Sequence, residues 1–161
     1  MAVKADGNWR SFRHRNYRIL FPANAASNIG TWAQRVAQDW LILQLTNNSG
    51  TYLGLVTAVQ FAPVLFFSLQ GGALADRVNK RKLLMATNFI GALSSLGLGL
   101  LVLASHVQVW HVFFFALTLG ISSAVDAPIR QSFTSEIVGH SDIANAVSLN
   151  SANFNAGRLV G

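Results

Sequence analysis

The sequence predicts an all-α, polytopic membrane protein: a helical bundle with four full spans and the start of a fifth. Three observations carry this. Hydrophobic residues make up 52% of the 161-residue chain and charged residues 11%, where a soluble domain has about a quarter charged. No Asp, Glu, Lys or Arg occurs in 40–75 or in 83–125, and a helix needs about 20 mostly apolar residues to span a bilayer. The basic residues also follow the positive-inside rule. Lys4, Arg10, Arg13, Arg15 and Arg18 precede the first apolar stretch, and Arg77, Lys80, Arg81 and Lys82 separate the second from the third. The connections 46–51 and 105–108 carry neither Lys nor Arg. The N-terminus and the 77–82 loop are therefore expected in the cytoplasm and the uncharged connections outside. The net charge of +6 is accounted for by topology, so nucleic acid is not expected as a partner.

Residues 1–18 form a basic lead with Trp9, Phe12 and Tyr17 interleaved. It is either a lipid-surface anchor, with rings at the interface, or a partly ordered tail. A cleaved signal peptide is not expected, because the apolar run 19–21 is stopped by Pro22 and falls short of an h-region. The partial bundle is expected over 19–161. Span one covers about 19–45 and span two about 51–74, with a small-residue ridge at Gly54, Ala58 and Ala62. Span three covers about 83–104, with a similar ridge at Thr87, Gly91, Ser95 and Gly99. Both ridges suit close helix packing. Span four covers about 109–125, with Trp110 and His111 at its outer interface. It is expected to end at Asp126-Ala127-Pro128-Ile129-Arg130, since proline disfavours helix in the residue before it. A polar cytoplasmic loop over 131–140 follows, and Ser141 or Asp142 then reads as the N-cap of a fifth helix over 142–161. A spanning helix cut at Gly161 leaves groups without partners, so the sequence reads as the N-terminal portion of a longer protein.

Two of these helices carry polar stripes. In span one, Asn24, Asn28, Thr31, Arg35 and Gln38 recur at steps of three or four, with Asp39 beside the last. That spacing places them on one face. In the fifth helix the stripe is Asn145, Ser148, Ser151 or Ala152, Asn155 and Arg158. Lipid tolerates Arg and Asp in a span only where they face protein or trapped water, so both stripes are expected to line an aqueous cavity. Arg35 and Asp39, four residues apart, suit a pair across one turn. Either Asp39 exchanges a proton while Arg35 modulates it or meets an anionic substrate, or the two form a permanent structural ion pair. Gln60 either lines the same cavity or bonds a neighbouring helix.

Other chemistry finds no support. There is no cysteine, hence no thiolate or disulfide. No His/Asp/Glu spacing resembles a metal site, no phosphate-binding Gly-Lys-Ser/Thr loop is present, and nothing suggests a nucleophile–base pair. No enzyme activity, cofactor or metal is expected.

The stretch Gly72-Ala73-Leu74-Ala75-Asp76-Arg77-Val78-Asn79-Lys80-Arg81 resembles the signature loop of the major facilitator superfamily, Gly-x-x-x-Asp-Arg-x-Gly-Arg-Arg/Lys. Asn79 stands where the family has glycine. Asn tolerates a left-handed backbone better than most residues, so the turn is expected to survive. Lys80 keeps the charge of the usual Arg but loses its fork geometry. Ser27-Asn28-Ile29-Gly30-Thr31-Trp32, Gln38-Asp39-Trp40, Asp126-x-Pro128-x-Arg130-Gln131 and Asn155-Ala156-Gly157-Arg158-Leu159-Val160-Gly161 are similar to the secretion-effector branch, which includes enterobactin and macrolide exporters.

The resemblance implies the N-terminal bundle of a twelve-helix secondary transporter working by alternating access, with a central site between two halves. It implies a latch in which Asp76 faces a helix N-terminus of the C-terminal half and Lys80 pairs with Asp126. Arg77 and Arg81 would hold the latch or orient the loop, and Arg130 closes the span-four motif. It implies proton-driven efflux of a small amphipathic molecule, with protons, the lipid bilayer and the C-terminal half as partners, in a plasma (inner) membrane. One departure bears on coupling. Many drug–proton antiporters carry an Arg in span four shortly before the glycine that matches Gly120, and here Val112-Phe113-Phe114-Phe115-Ala116 is uncharged. An uptake or uncoupled carrier of the same fold, and a small membrane scaffold acting through helix packing, are the alternatives.

Overall fold

The computed structural model describes residues 10–75 and 79–160, apart from the side chains of 68–75, 140 and 141. Among the described residues all regular structure is helical. A 3₁₀ turn, Arg10–Arg13, leads into α1 (Arg15–Leu45), α2 (Gly50–Ala75), α3 (Lys80–Leu103) and α4 (Val109–Val160). Three stretches are long and apolar enough to cross a membrane: Gly50–Phe67, Lys80–Leu103 and Val109–Gly139. The polar stripe keeps α1 out of that set, although its 31 residues extend about 46 Å, past a hydrocarbon core of about 30 Å.

Local chemistry fixes the connections. After α1 the chain reverses through Asn47 (φ 52°) and Asn48 (φ 61°), a left-handed pair that Asn accepts at modest cost. The Asn48 N–H donates to the Leu43 carbonyl at 2.8 Å, satisfying a group the helix end would orphan. Ser105 (φ 55°) turns the chain after α3. At the other end of α3 the structure corrects the expectation for Asn79. Its backbone is extended (φ −69°, ψ 100°), and its side chain caps the helix by accepting from the Lys82 N–H at 3.1 Å. An Asx cap fills a helix start better than a left-handed turn does.

The largest difference from the sequence reading is in α4. The chain does not leave the helix at 126–130, and 131–140 is not a loop. Pro128 lies inside α4, and the discontinuity falls at Gly139 (φ 70°, ψ 174°), where two helical segments meet. Pro128 forfeits one backbone bond. Its surroundings offset that loss: Ile129 is fully buried beside Leu84, with Val125 and Phe133 packed on them, and Arg130 bonds Asp126 across the same turn. A φ of 70° combined with a ψ of 174° lies in a region essentially restricted to glycine, so Gly139 is where the helix gives way. Asp142 binds the N-terminal segment through Arg10 and His14, and the Ser141 side chain lies outside the described residues.

α4 is the spine, and the other helices pack along it. Near the α1–α2 turn, Ile42, Val56, Val112 and Ala116 form a buried cluster closed by Leu41, Leu45 and Phe113. Further along, α2 and α4 approach until a Cβ on Gly120 would overlap the Gln60 carbonyl. The predicted ridges do not serve this purpose. Nothing lies within 4 Å of a Cβ built on Gly54, Gly91 or Gly99, whereas Gly97 meets the Phe115 ring at 3.0 Å. α3 turns Met85, Phe89, Leu93, Leu96, Leu100 and Leu103 outward. Their steps of three and four put them on one apolar face, as lipid contact demands.

The stretch 10–18 is no loose tail. Ser11 and Tyr17 have no exposed surface, and Tyr17, Val138 and Ala146 form a buried cluster with Phe12, Phe21, Ile143 and Leu149 around it. Arg13, Arg15 and Arg18 remain exposed.

Candidate functional site

A cavity of about 1240 Å³ opens between α1, α3 and α4. α1 contributes Asn24, Ser27, Asn28, Thr31, Trp32 and Arg35, five of them polar. α3 adds Thr87, Asn88 and Ser95; α4 adds Ser122, Asp126 and Arg130 before Gly139 and Asn150, Phe154 and Asn155 after it. The span-one stripe faces the cavity as its spacing predicts, as far as Arg35.

The polar walls are tied together. Thr87 donates to Asp126 at 2.8 Å, and Arg130 Nε donates to the other carboxylate oxygen at 2.7 Å. Arg130 also donates to the Asn24 side-chain oxygen. One carboxylate and one guanidinium thus join three helices at a site where both are mostly buried, an arrangement that succeeds only when the remaining donors and acceptors are satisfied. Ser27 donates to Asn88 at 2.6 Å and Ser95 to Gln34 at 2.5 Å. These two bonds bridge α1 and α3 across the open space.

A second cluster centres on Trp32. The Arg35 guanidinium carbon lies 4.8 Å from its ring centroid and 5.0 Å from that of Phe61. Arg158 sits over the same indole at 5.3 Å, and Phe154 meets it edge-on at 5.6 Å. Cation–π contact at these distances supports a guanidinium where lipid-depth solvation is poor. Gly157 makes the approach possible, because a Cβ there would stand 3.3 Å from Trp32.

Several expected site residues lie elsewhere. Gln38 is 1% exposed and does not line the cavity. Asp39 does not line it either, and no ion pair joins Arg35 to Asp39 among the described residues. The aromatic faces of Trp32 and Phe61 draw the guanidinium instead. Gln60 is buried at the α2–α4 crossing. Neither Gln38 amide atom, nor Gln60 Nε2, has a hydrogen-bond partner among the described residues. Asn145 leaves the cavity stripe: its side-chain oxygen accepts from the Ser11 N–H at 3.1 Å and hydroxyl at 2.9 Å. Asp142 completes that clasp, 3.1 Å from His14 Nε2 and 3.6 Å from Arg10 Nε. Burial pushes the Tyr17 phenol up to about 12, and its hydroxyl donates towards the Ala146 carbonyl at 3.4 Å.

In the expected latch, Asp76 and Arg77 lie outside the described residues. Gly72 is in the last part of α2, and Arg81 is exposed. Lys80 pairs with Glu136, not with Asp126. The continuation of α4 past Pro128 brings Glu136 to the start of α3, while Arg130 and Thr87 already occupy both oxygens of Asp126.

Sequence reasoning missed Thr87 and Ser95 as cavity groups, having assigned them to a packing ridge, and missed Asn88 and Ser122 altogether. Ser122, Asp126 and Arg130 recur at intervals of four, a stripe that a break at Pro128 conceals.

Membrane-length helices wrapped around a polar cavity define a multi-pass membrane protein of the transporter class. The chain belongs to the transmembrane secretion effector family of the major facilitator superfamily, which matches it over residues 6–161. It is 29% identical over 145 residues to the staphyloferrin A transporter of Staphylococcus aureus and 30% identical over 148 residues to the multidrug efflux pump Tap of Mycolicibacterium fortuitum. It is also 33% identical over 97 residues to a putative metabolite transport protein of Bacillus subtilis. Each of the first two matches covers 89% of this chain, and the chain spans 36% of the length of those relatives. No solved structure matches the chain. The family and these relatives are transporters, not enzymes.

Proposed function

We propose that this chain forms most of the N-terminal bundle of a proton-coupled secondary transporter that exports a small amphipathic molecule, of drug or siderophore type, by alternating access. The observation that carries the reading is the cavity: α1, too polar to count as membrane-spanning by composition, joins α3 and α4 around about 1240 Å³ lined by hydroxyl, amide and guanidinium side chains among apolar ones such as Trp32, Leu119 and Phe154. A wet, polar volume beside membrane-length helices suits a translocation site near the midplane. Export is favoured by the likeness to an efflux pump.

In this reading α1 from about residue 19 is the first span and the α4 segment after Gly139 begins the fifth, and the N-terminus is cytoplasmic in a bacterial inner membrane. The second half of the site comes from a C-terminal bundle. Lys80–Glu136 belongs to the inward-side latch, to which Asp76, Arg77 and Arg81 contribute by their place in the signature loop. Asp126 and Arg130 form the hub beneath the cavity, and Asp39 is the candidate coupling carboxylate.

Full-length protein in proteoliposomes tests this. A pH gradient is expected to drive saturable flux of a dye substrate, and Asp39→Asn to abolish the pH dependence while leaving downhill exchange. Flux that ignores the gradient in the wild type favours the uncoupled or uptake carrier, which the metabolite-transport relative supports. No flux in either direction leaves the scaffold reading, which gives the polar cavity no purpose.

A further inference from the structure

The two arginines on Trp32 specify a charge class for the cargo. Arg35 lines the cavity, and its Nε is buried with no acceptor among the described residues. Arg158, expected in the cavity wall, is exposed and lies outside the lining; it reaches the same indole from the far segment of α4 and makes no hydrogen bond or ion pair among the described residues. A buried donor on a charged group is costly to leave unmet. The aromatic faces compensate the guanidinium charge but accept no N–H bond in the ring plane.

The supply of protein carboxylates does not meet this demand. Asp126 is the one acidic residue among the lining groups, and both its oxygens are engaged by Thr87 and Arg130. Asp39, one turn beyond Arg35, is not within ion-pair distance of it. The remaining lining side chains are largely neutral donors and acceptors, including Ser27, Asn28, Thr31 and Asn155. The described wall is therefore net positive and rich in groups that bond oxygen.

We propose that the cavity binds a small organic anion carrying two or more carboxylate or sulfonate groups, with Arg35 as its principal anchor and Arg158 as a second anchor across Trp32. The inference rests on the reading of this cavity as a transport site and names what that site takes. A guanidinium offers a planar fork that matches a carboxylate with two parallel bonds. The two forks on one indole reward an anion with separated acid groups over a monoanion, and both repel a cation.

The test uses two dyes built on one ring system and of opposite charge, 6-carboxyfluorescein and rhodamine 6G. Their binding to detergent-purified full-length protein is followed by fluorescence anisotropy. Carboxyfluorescein is expected to bind about tenfold or more tightly than rhodamine 6G, with an affinity that falls as salt rises. Arg35→Gln and Arg158→Gln are each expected to weaken it about tenfold, and Arg35→Lys by less, since charge is retained. Arg158 is exposed, so its variant reports even if Arg35→Gln does not fold.

Equal or tighter binding of rhodamine 6G, binding of neither dye, or unchanged affinity in a monodisperse Arg158→Gln protein overturns the proposal. Flux in proteoliposomes separates the two levels. If rhodamine 6G is bound and carried and carboxyfluorescein is not, the transporter stands and the anion site falls. If carboxyfluorescein is bound with the expected arginine dependence but no gradient moves it, the anion site stands and the transport reading falls.

Discussion

Gly120 of α4 packs against the backbone carbonyl of Gln60 in α2, so closely that a methyl group on Gly120 would overlap it. The obstructing atom belongs to the main chain, so no side-chain rotation relieves the clash. Both helices must move apart, and they carry the Val56, Val112 and Ala116 cluster with them. Gly120→Ala is expected to cost about 1–3 kcal/mol, seen as a lower melting temperature of the purified protein and a smaller monodisperse fraction. Gly99→Ala, with nothing within 4 Å of its Cβ, is the control and is expected to stay within about 0.5 kcal/mol of wild type. Equal losses for the two would mean that the helix crossing is not where the structure puts it.

The Asp126–Arg130 pair is expected to show strong coupling. Asp126→Asn removes the negative charge beside the mostly buried Arg130 guanidinium and leaves one acceptor oxygen where Thr87 and Arg130 now use two. A loss of about 1–3 kcal/mol follows, and Arg130→Gln is expected to lose a similar amount. The double variant should lose far less than the sum, with a coupling of about 1 kcal/mol or more. Additive losses in thermal unfolding would remove the pair from its role as the hub of three helices.

Lys80–Glu136 is different in kind, because Glu136 is more than half exposed. Its effect on stability is expected to stay below about 1 kcal/mol. Its effect on cargo flux should be larger if it belongs to the latch: Lys80→Glu is expected to lower flux and Glu136→Lys in the same protein to restore it. Restored stability without restored flux would assign the pair to structure alone.

The N-terminal clasp gives a proteolysis prediction. Arg13 and Arg15 are exposed, but the turn they flank is held by Ser11, His14 and Arg10 on Asp142 and Asn145. Asp142→Asn is expected to raise the rate of tryptic cleavage at Arg13 or Arg15 about fivefold or more, the factor that about 1 kcal/mol of local opening provides. Unchanged cleavage would mean the clasp contributes nothing to local stability.

The Tyr17 phenol supplies a pH dependence of the same clasp. Its folded pKa, about 12, is raised above the ordinary 10.0 because burial penalises the phenolate. The unfolded state therefore releases its proton first as pH rises. The contribution is fully present below pH 10 and is lost between 10 and 12. Protection from cleavage is expected to fall across that window in the wild type, and Tyr17→Phe to remove this part of the alkaline loss.

Much of this arrangement is legible in the sequence, and the reasons for the rest are physical. Long uncharged windows mark α2, α3 and the first part of α4 because lipid excludes charge. The positions 24, 28, 31 and 35 reach the cavity because the helical period carries them there. The period fails at Gln38, which is buried away from the cavity. Pro128 misleads because local preference is weighed without the tertiary contacts of Ile129, Asp126 and Arg130. Those contacts keep the helix intact, and Gly139 breaks it eleven residues after Pro128. The diversion of Asn145 to Ser11, and of Lys80 to Glu136, depends on which elements meet in space, and no spacing along the chain encodes that.

The clasp also sets an order of assembly. Ser11 bonds Asn145 across 134 positions of sequence, and between them lie α1, α2, α3 and the first segment of α4, each long enough to cross a bilayer. Loop closure over such a distance cannot begin until the later partner has been synthesised, and a ribosome needs several seconds for that stretch at about 5–20 residues per second. The first segment of this chain to emerge is thus among the last to settle. During that interval Tyr17 and Phe12 have no protein surface to cover them, and the headgroup region beside the translocon is their natural waiting place.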